Sequence, residues 1–206
     1  MPSLLHLDSS PLETSVSREL GREFVKTWKA SHTDGTVLYR DLAVTALKPL
    51  DTAWIYAAFT PEANQTPEQK ETLALSEELV AELKQADEYV IGVAMHNFSI
   101  PSVLKLWIDQ ISRAGKTFSY GEFGPQGLLV NKKATLLIAS GGVYDAGTPM
   151  SAFNFVEPYL RAVLEFLGVT DIKVVTAAGT AALRAPTADR EKFLQPTLDQ
   201  VRSVAA

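Results

Sequence analysis

The sequence predicts an α/β fold: one parallel sheet of five strands with helices on both faces. Three observations predict it. Short, nearly continuous apolar runs recur along the chain, the pattern of strands buried on both faces. Stretches with apolar residues at helical spacing separate them. The two kinds of segment alternate five times, and such alternation builds a parallel sheet through right-handed crossovers.

In order, Leu4 to Leu7 is the first strand, followed by a hydroxyl-rich loop, Ser9 to Ser17, and a helix carrying Val16, Leu20, Phe24, Val25 and Trp28 on one face. Thr36 to Tyr39 is the second strand. The connection from Asp41 to Gln65 is about 25 residues long, beyond the usual length of a loop, so it is functional or partly helical. Thr66-Pro67-Glu68-Gln69 marks a helix start, with threonine to cap, proline at the first helical position and Gln69 at the capping-box position. This helix runs to about Ala86 with Leu73, Leu79, Val80 and Leu83 inward. Tyr89 to Met95 is the third strand, and Pro101 opens a helix burying Val103, Leu104, Trp107, Ile108 and Ile111. Gly115 to Leu129, rich in glycine and aromatics, is a structured excursion. Ala134 to Ala139 is the fourth strand, and Gly141 to Pro149 a loop. A helix follows from Phe155 to Leu167 and ends at Gly168. Ile172 to Thr176 is the fifth strand and Asp189 to Val201 the last helix. No repeat or linker divides the chain, so residues 1–206 are expected to form a single domain. The expected strand order is the flavodoxin-like 2-1-3-4-5.

Composition narrows the function. Of 206 residues, 46% are hydrophobic and 21% charged, enough for a sizeable core and incompatible with intrinsic disorder. The balance of 19 Lys and Arg against 24 Asp and Glu gives a net charge of −5. No basic cluster could follow a phosphate backbone or an anionic membrane, so neither nucleic acid nor membrane is an expected partner. The absence of cysteine removes disulfide scaffolds, thiol redox motifs and cysteine nucleophiles, and agrees with a reducing, cytoplasmic setting. The opening residues lack the basic region of a signal peptide, and no run is long enough to span a membrane.

In a sheet of this order, ligands bind beyond the carboxyl ends of the strands where the winding reverses, here between the first and third. The loop Asp8 to Ser17 offers five Ser or Thr hydroxyls ahead of a helix N-terminus, a combination suited to a phosphate monoester. It carries no G-x-G-x-x-G, and no G-x-x-x-x-G-K-[ST] occurs anywhere, so a dinucleotide-binding dehydrogenase and a P-loop NTPase are excluded. The third strand ends in Met95 and His96 where a phosphorylation receiver would place an aspartate, and no metal site is expected. The loop Met95-His96-Asn97-Phe98 pairs an amide with apolar and aromatic groups, which suits a flat heteroaromatic ring. The loop Ser140-Gly141-Gly142-Val143-Tyr144 has two glycines that let main chain approach a ligand closely. Together the three loops describe a flavin mononucleotide (FMN) site.

The same residues carry a family resemblance. Ser9-Ser10 with Ser15-Val16-Ser17, Thr66-Pro67, Met95 to Pro101, Arg113 to Tyr120, Gly124 to Leu128, Lys132-Lys133-Ala134 and Gly141-Gly142 occur in an order that resembles the FMN-dependent NADH:quinone oxidoreductases of the azoreductase family, from about Ser3 to the C-terminus. The resemblance implies a flavodoxin-like homodimer with FMN near the subunit interface. Ser10, Ser15, Val16 and Ser17 would hold the phosphate, Met95, His96, Asn97 and Phe98 would line the ring system, and Ser140, Gly141 and Gly142 would contact its polar edge. It further implies that NADH or NADPH reduces the flavin and leaves before a quinone or azo compound takes the electron pair. No side chain need act as a catalytic acid or base. Among the aromatics of the two excursions, Trp54, Tyr56, Phe59, Phe118, Tyr120 and Phe123, an apolar lid for flat substrates is expected, with Phe59, Phe118 and Tyr120 lining the substrate. Packing in the core or between subunits is the other role open to them.

Two positions depart from the family's common pattern: His96 stands where a tyrosine is usual, and Ser140 where an arginine precedes the diglycine. Two rivals remain. A serine hydrolase with its nucleophile after the first strand would need a histidine base late in the chain, yet the only histidines are His6, His32 and His96. A flavodoxin-type electron carrier would bind FMN without oxidising a nicotinamide, but a net charge of −5 is mild for that role and the two excursions add substrate-sized walls.

Overall fold

In the computed structural model, which describes residues 1–206, the chain runs β1 (Ser3–Asp8), α1 (Val16–Ser31), β2 (Thr36–Asp41), α2 (Thr52–Phe59), α3 (Pro67–Gln85), β3 (Glu88–Ala94) and α4 (Ser102–Ile111). It continues through β4 (Phe118–Gly121), β5 (Gly124–Gly127), β6 (Lys133–Ala139), α5 (Glu157–Leu167), β7 (Asp171–Ala177) and α6 (Arg190–Ala205). The main sheet has the order β2-β1-β3-β6-β7, every pair parallel. This is the expected 2-1-3-4-5 winding, with β4 and β5 forming a separate antiparallel hairpin inside the Gly115 to Leu129 excursion.

Local chemistry accounts for the element ends. The capping box at α3 is complete: Gln69 N–H donates to Thr66 Oγ1 at 3.3 Å and Thr66 N–H to Gln69 Oε1 at 3.0 Å. The C-cap of α5 is Gly168, left-handed at φ 106°. That helix starts at Glu157 rather than at the expected Phe155, because Asn154 Oδ1 accepts from Val156 N–H at 3.2 Å and sets the boundary. The long connection after β2 is partly helical. Asp51 caps α2 by accepting from Trp54 N–H at 2.8 Å, and a 3₁₀ turn follows at Glu62–Asn64. On α4 the expected inward residues are buried with one correction: Val103 is only half-buried, and the polar Gln110 is buried instead.

Side-chain alternation along β1 divides the core. Leu5 and Leu7, with Ile91, Val93, Leu136 and Ile138, face a layer made by α3, α4 and α5 through Leu79, Leu83, Leu104, Trp107, Ile108, Leu160 and Leu164. Leu4, Val90, Leu137 and Val175 face α1 and α6 through Leu20, Phe24, Trp28, Leu194 and Val201. No helix is long and apolar enough to cross a membrane. The two layers hold β1, β3 and β6 side by side, so the loops that leave their carboxyl ends open at one edge of the molecule.

Candidate functional site

The even residues of β1 that face α1 begin apolar and end polar: Leu4, His6, Asp8. All three are buried. Asp8 fits against β3 because its partner in register is Gly92, where a Cβ would lie 2.8 Å from Asp8 Oδ1. Ser9 is fully buried and its hydroxyl donates to Gly92 O at 2.7 Å, tying the first loop to the neighbouring strand. Beyond it, α1 begins at Val16, and the backbone N–H groups of Val16, Ser17 and Arg18 have no acceptor. The hydroxyls of Ser15 and Ser17 meet at 2.9 Å, and Ser15 makes no side-chain cap. Free amides, hydroxyls and the positive end of a 16-residue helix form a donor set fit for a phosphate monoester.

Arg18 braces this loop from beneath. Its guanidinium is buried and donates to Ser10 O from Nε at 2.9 Å and from Nη2 at 2.7 Å. Nη2 also meets both oxygens of Asp41 at 2.8 Å, while Nη1 reaches Tyr39 Oη at 3.0 Å and Asp8 Oδ2 at 3.4 Å. Burial works against the Arg18 charge, but the bond to Asp41 and the charges of Asp8 and Asp41 outweigh it and hold its pKa above the ordinary value. Tyr39 donates to Asp8 Oδ2 at 3.0 Å, and its pKa is pushed up to about 12, first by burial and then by the Asp8 charge.

The second loop leaves β3 through Met95, whose N–H donates to Ala139 O at 2.8 Å. His96 and Ser99 then exchange backbone hydrogen bonds of 2.9 and 3.0 Å around Asn97 at φ 49° and Phe98 at φ 71°. Positive φ at both central residues is the mark of a type I′ turn. His96, Asn97 and Phe98 are exposed at its tip. The Phe98 ring lies 6.1 Å edge-on from Tyr144 and 5.1 Å from Phe153, so the second and third loops touch. In the third loop Ser140 is buried; its hydroxyl donates to Gly142 O at 2.9 Å, and its carbonyl accepts from Thr180 N–H at 3.0 Å. Gly141 remains exposed and Gly142 half-buried.

The structure therefore places Ser10, Ser15, Val16, Ser17, the Met95 to Phe98 segment and the Ser140 to Gly142 segment at the ends of three adjacent strands. The excursion aromatics divide. Trp54 is buried and donates to Gln110 Oε1 at 2.9 Å, and Phe118 is buried with its ring 4.8 Å from Phe166. Phe59, Tyr56, Tyr120 and Phe123 are exposed, Phe123 almost completely at 98%. Sequence reasoning placed Tyr144 in the third loop but missed Arg18, Phe153 and Thr180 at this edge. Arg18 did leave a signal, since a basic residue in the first turn of a helix opposes the macrodipole and needs a partner. Thr180 left none: it arrives by adjacency of β7 to β6.

Comparison with known proteins bears on the family and the fold of the whole chain. The profile of a family described as having a flavodoxin-like fold matches residues 2–201. An FMN-dependent NADH:quinone oxidoreductase of Acidobacterium capsulatum is 61% identical over 206 residues, covering 100% of both chains. FMN-dependent NADH:quinone oxidoreductase 3 of Burkholderia lata is 45% identical over 207 residues, again covering 100% of both. An FMN-dependent NADH-azoreductase from Bacillus anthracis, solved in complex with FMN, superposes with a TM-score of 0.87 at 29% identity, covering 100% of this chain and 98% of that one.

Proposed function

Because the chain belongs to the FMN-dependent NADH:quinone oxidoreductase family, within the flavodoxin-like fold, we propose that it binds FMN and transfers electron pairs from NADH or NADPH to quinones and aromatic azo compounds. The observation that carries the reading is the meeting of three kinds of donor at the ends of β1, β3 and β6: hydroxyls with free helix amides, an amide beside an aromatic turn, and a diglycine. Bound FMN supplies two-electron redox chemistry, used in a ping-pong sequence of nicotinamide oxidation followed by acceptor reduction.

The protein's own groups bind and orient. Ser10, Ser15 and Ser17 with the Val16 and Ser17 amides hold the phosphate through neutral donors and the helix dipole. Asn97 presents its amide to a heteroatom edge, while Met95, His96 and Phe98 supply an apolar and aromatic wall. The Ser140 to Gly142 segment offers backbone to the ring's polar edge. No side chain at this edge is needed to move a proton in hydride transfer. Phe59 and Tyr120, exposed on the two excursions, offer aromatic faces to flat acceptors, while Phe118, buried in the core, supports Tyr120 from beneath at 5.5 Å. The exposure of Tyr56, Phe59, Tyr120 and Phe123 also supports a homodimer in which the excursions of one subunit complete the site of the other. The composition supports a cytoplasmic setting, and residues 1–206 act as one domain.

The test is the visible spectrum of the purified protein, with FMN added to saturation, before and after anaerobic NADH or, in a second cuvette, NADPH, and then a benzoquinone. A two-banded flavin spectrum that bleaches with NADH and returns with quinone is expected. A protein that takes up no FMN overturns the reading, and one that binds FMN but leaves both nicotinamides unoxidised is an electron carrier.

A further inference from the structure

We infer that Arg18 is a positioning residue for the cofactor phosphate: it sets FMN affinity by fixing the Ser10 peptide against the first turn of α1, without itself contacting the phosphate. The inference rests on the reading of the first loop as the phosphate site.

Ser10 and the free amides of α1 must hold a fixed separation to grip one phosphate, yet the chain between them is poorly restrained. Pro11, Leu12, Glu13 and Thr14 are all exposed. Three hydrogen bonds oppose its motion, Ser15 N–H to Leu12 O at 3.0 Å, Leu12 N–H to Ser10 Oγ at 3.3 Å and Arg190 Nη2 to Thr14 O at 3.1 Å, and none of them takes the Ser10 carbonyl. Arg18 bridges the gap. It is anchored in the first turn of α1 and places two N–H groups on the Ser10 carbonyl, at 2.7 and 2.9 Å. This turns the carbonyl oxygen, an acceptor that would repel a phosphate, into the protein, while the Ser10 hydroxyl keeps its proton free to donate.

The remaining guanidinium N–H groups are committed as well. Asp41 takes Nη2 through both carboxylate oxygens, and Tyr39 and Asp8 share Nη1. With all three nitrogens occupied and two carboxylates more than offsetting its charge, the guanidinium has no donor left for a ligand. Its planar fork is what spans Ser10 and Asp41 at once, a geometry that a lysine ammonium does not reproduce. The phosphate site is therefore set at one remove: β2 holds Asp41, Asp41 orients Arg18, and Arg18 holds Ser10.

The experiment is titration of the apoprotein with FMN and with riboflavin, which lacks the phosphate, read by quenching of flavin fluorescence, for the wild type, Arg18→Lys and Asp41→Asn. Arg18→Lys is expected to weaken FMN by about ten- to a hundredfold, the worth of one or two charge-assisted hydrogen bonds, and riboflavin by less than about threefold. Asp41→Asn is expected to move the FMN-to-riboflavin ratio in the same direction by less. Where Arg18→Lys does not fold, Asp41→Asn alone decides. A variant that weakens both flavins equally, or changes neither, overturns the positioning role and leaves Arg18 a structural brace. A wild-type protein that binds FMN no better than riboflavin overturns the phosphate reading itself, and this inference with it.

Discussion

Asn97 and Phe98 stand side by side in the left-handed backbone region, at φ 49° and 71°, held there by the paired hydrogen bonds between His96 and Ser99. Asparagine tolerates this conformation; a bulky aromatic does not, and holding it there costs about 1–2 kcal/mol. The strain is offset by the edge-on contact of Phe98 with Tyr144 and its tilted contact with Phe153. Phe98→Gly would create Asn-Gly, the preferred centre of a type I′ turn, whereas Phe98→Ala would lose the ring and keep the strain. Phe98→Gly is therefore expected to be more stable than Phe98→Ala by about 1 kcal/mol, the reverse of the usual order. Urea denaturation of the two variants checks the order, and both should weaken flavin binding.

The network under the first loop has an alkaline signature. Tyr39 titrates at about 12 in the folded protein, against an ordinary value of 10.0, because burial and the Asp8 charge disfavour the phenolate. A group whose pKa is raised by folding contributes stability that is whole below its unfolded pKa and is lost as pH rises through the folded one. Stability should thus fall between about pH 10 and about pH 12, and less steeply in Tyr39→Phe. Comparing denaturation midpoints of both proteins at about pH 9 and about pH 11 checks the sign, since the other raised tyrosines, Tyr89 and Tyr159, are common to both.

Much of this fold was written in local chemistry. Thr66 and Gln69 announced α3 because a capping box is a contact between residues three apart, and the apolar runs announced all five strands of the main sheet, although burial on both faces holds only for β1, β3 and β6, with β2 and β7 partly exposed at the edges. The α2 helix was announced only as one of two readings of a long connection, without bounds. Its buried residues are Trp54 and Ala57 alone, too few for a periodicity to be read, and it is held by Gln110 from a helix distant in sequence. The site was legible as three loops, because hydroxyls, an amide-aromatic pair and a diglycine are chemically distinct. What holds them was not: the Arg18 bonds to Ser10 and Asp41 join three elements that meet only in the fold, and Phe98 in a type I′ turn contradicts its own propensity.

The anchoring of α2 should behave as a coupled pair. Trp54 donates to Gln110 Oε1 at 2.9 Å, and Arg113 lies 5.4 Å over the indole. Gln110→Leu leaves the buried indole N–H and the Lys48 carbonyl without their partner, at a cost of about 1–3 kcal/mol. Adding Trp54→Phe removes the orphaned N–H. The double variant is expected to be less destabilised than the sum of the single ones, a coupling readable in a double-mutant cycle by urea denaturation.

The hairpin of β4 and β5 is the element whose displacement should separate substrate from cofactor. Gly127, opposite Phe118 in the hairpin, lies against the end of α5: a Cβ there would fall 2.2 Å from Gly168 N and 2.4 Å from Leu167 C. Both obstacles are backbone, and Gly168 is itself fixed at φ 106° as the helix cap, so no side-chain rotation relieves the clash. Gly127→Ala should push the hairpin off α5 at a cost of about 1–3 kcal/mol, in the range of other overpacking substitutions. Phe118, Tyr120 and Phe123 travel with the hairpin, whereas the loops after β1, β3 and β6 do not. The expected outcome is a raised KM for quinone with FMN affinity unchanged, measured by steady-state kinetics and flavin fluorescence on the same preparation. An equal loss of FMN affinity would show that the hairpin supports the cofactor loops rather than the acceptor surface.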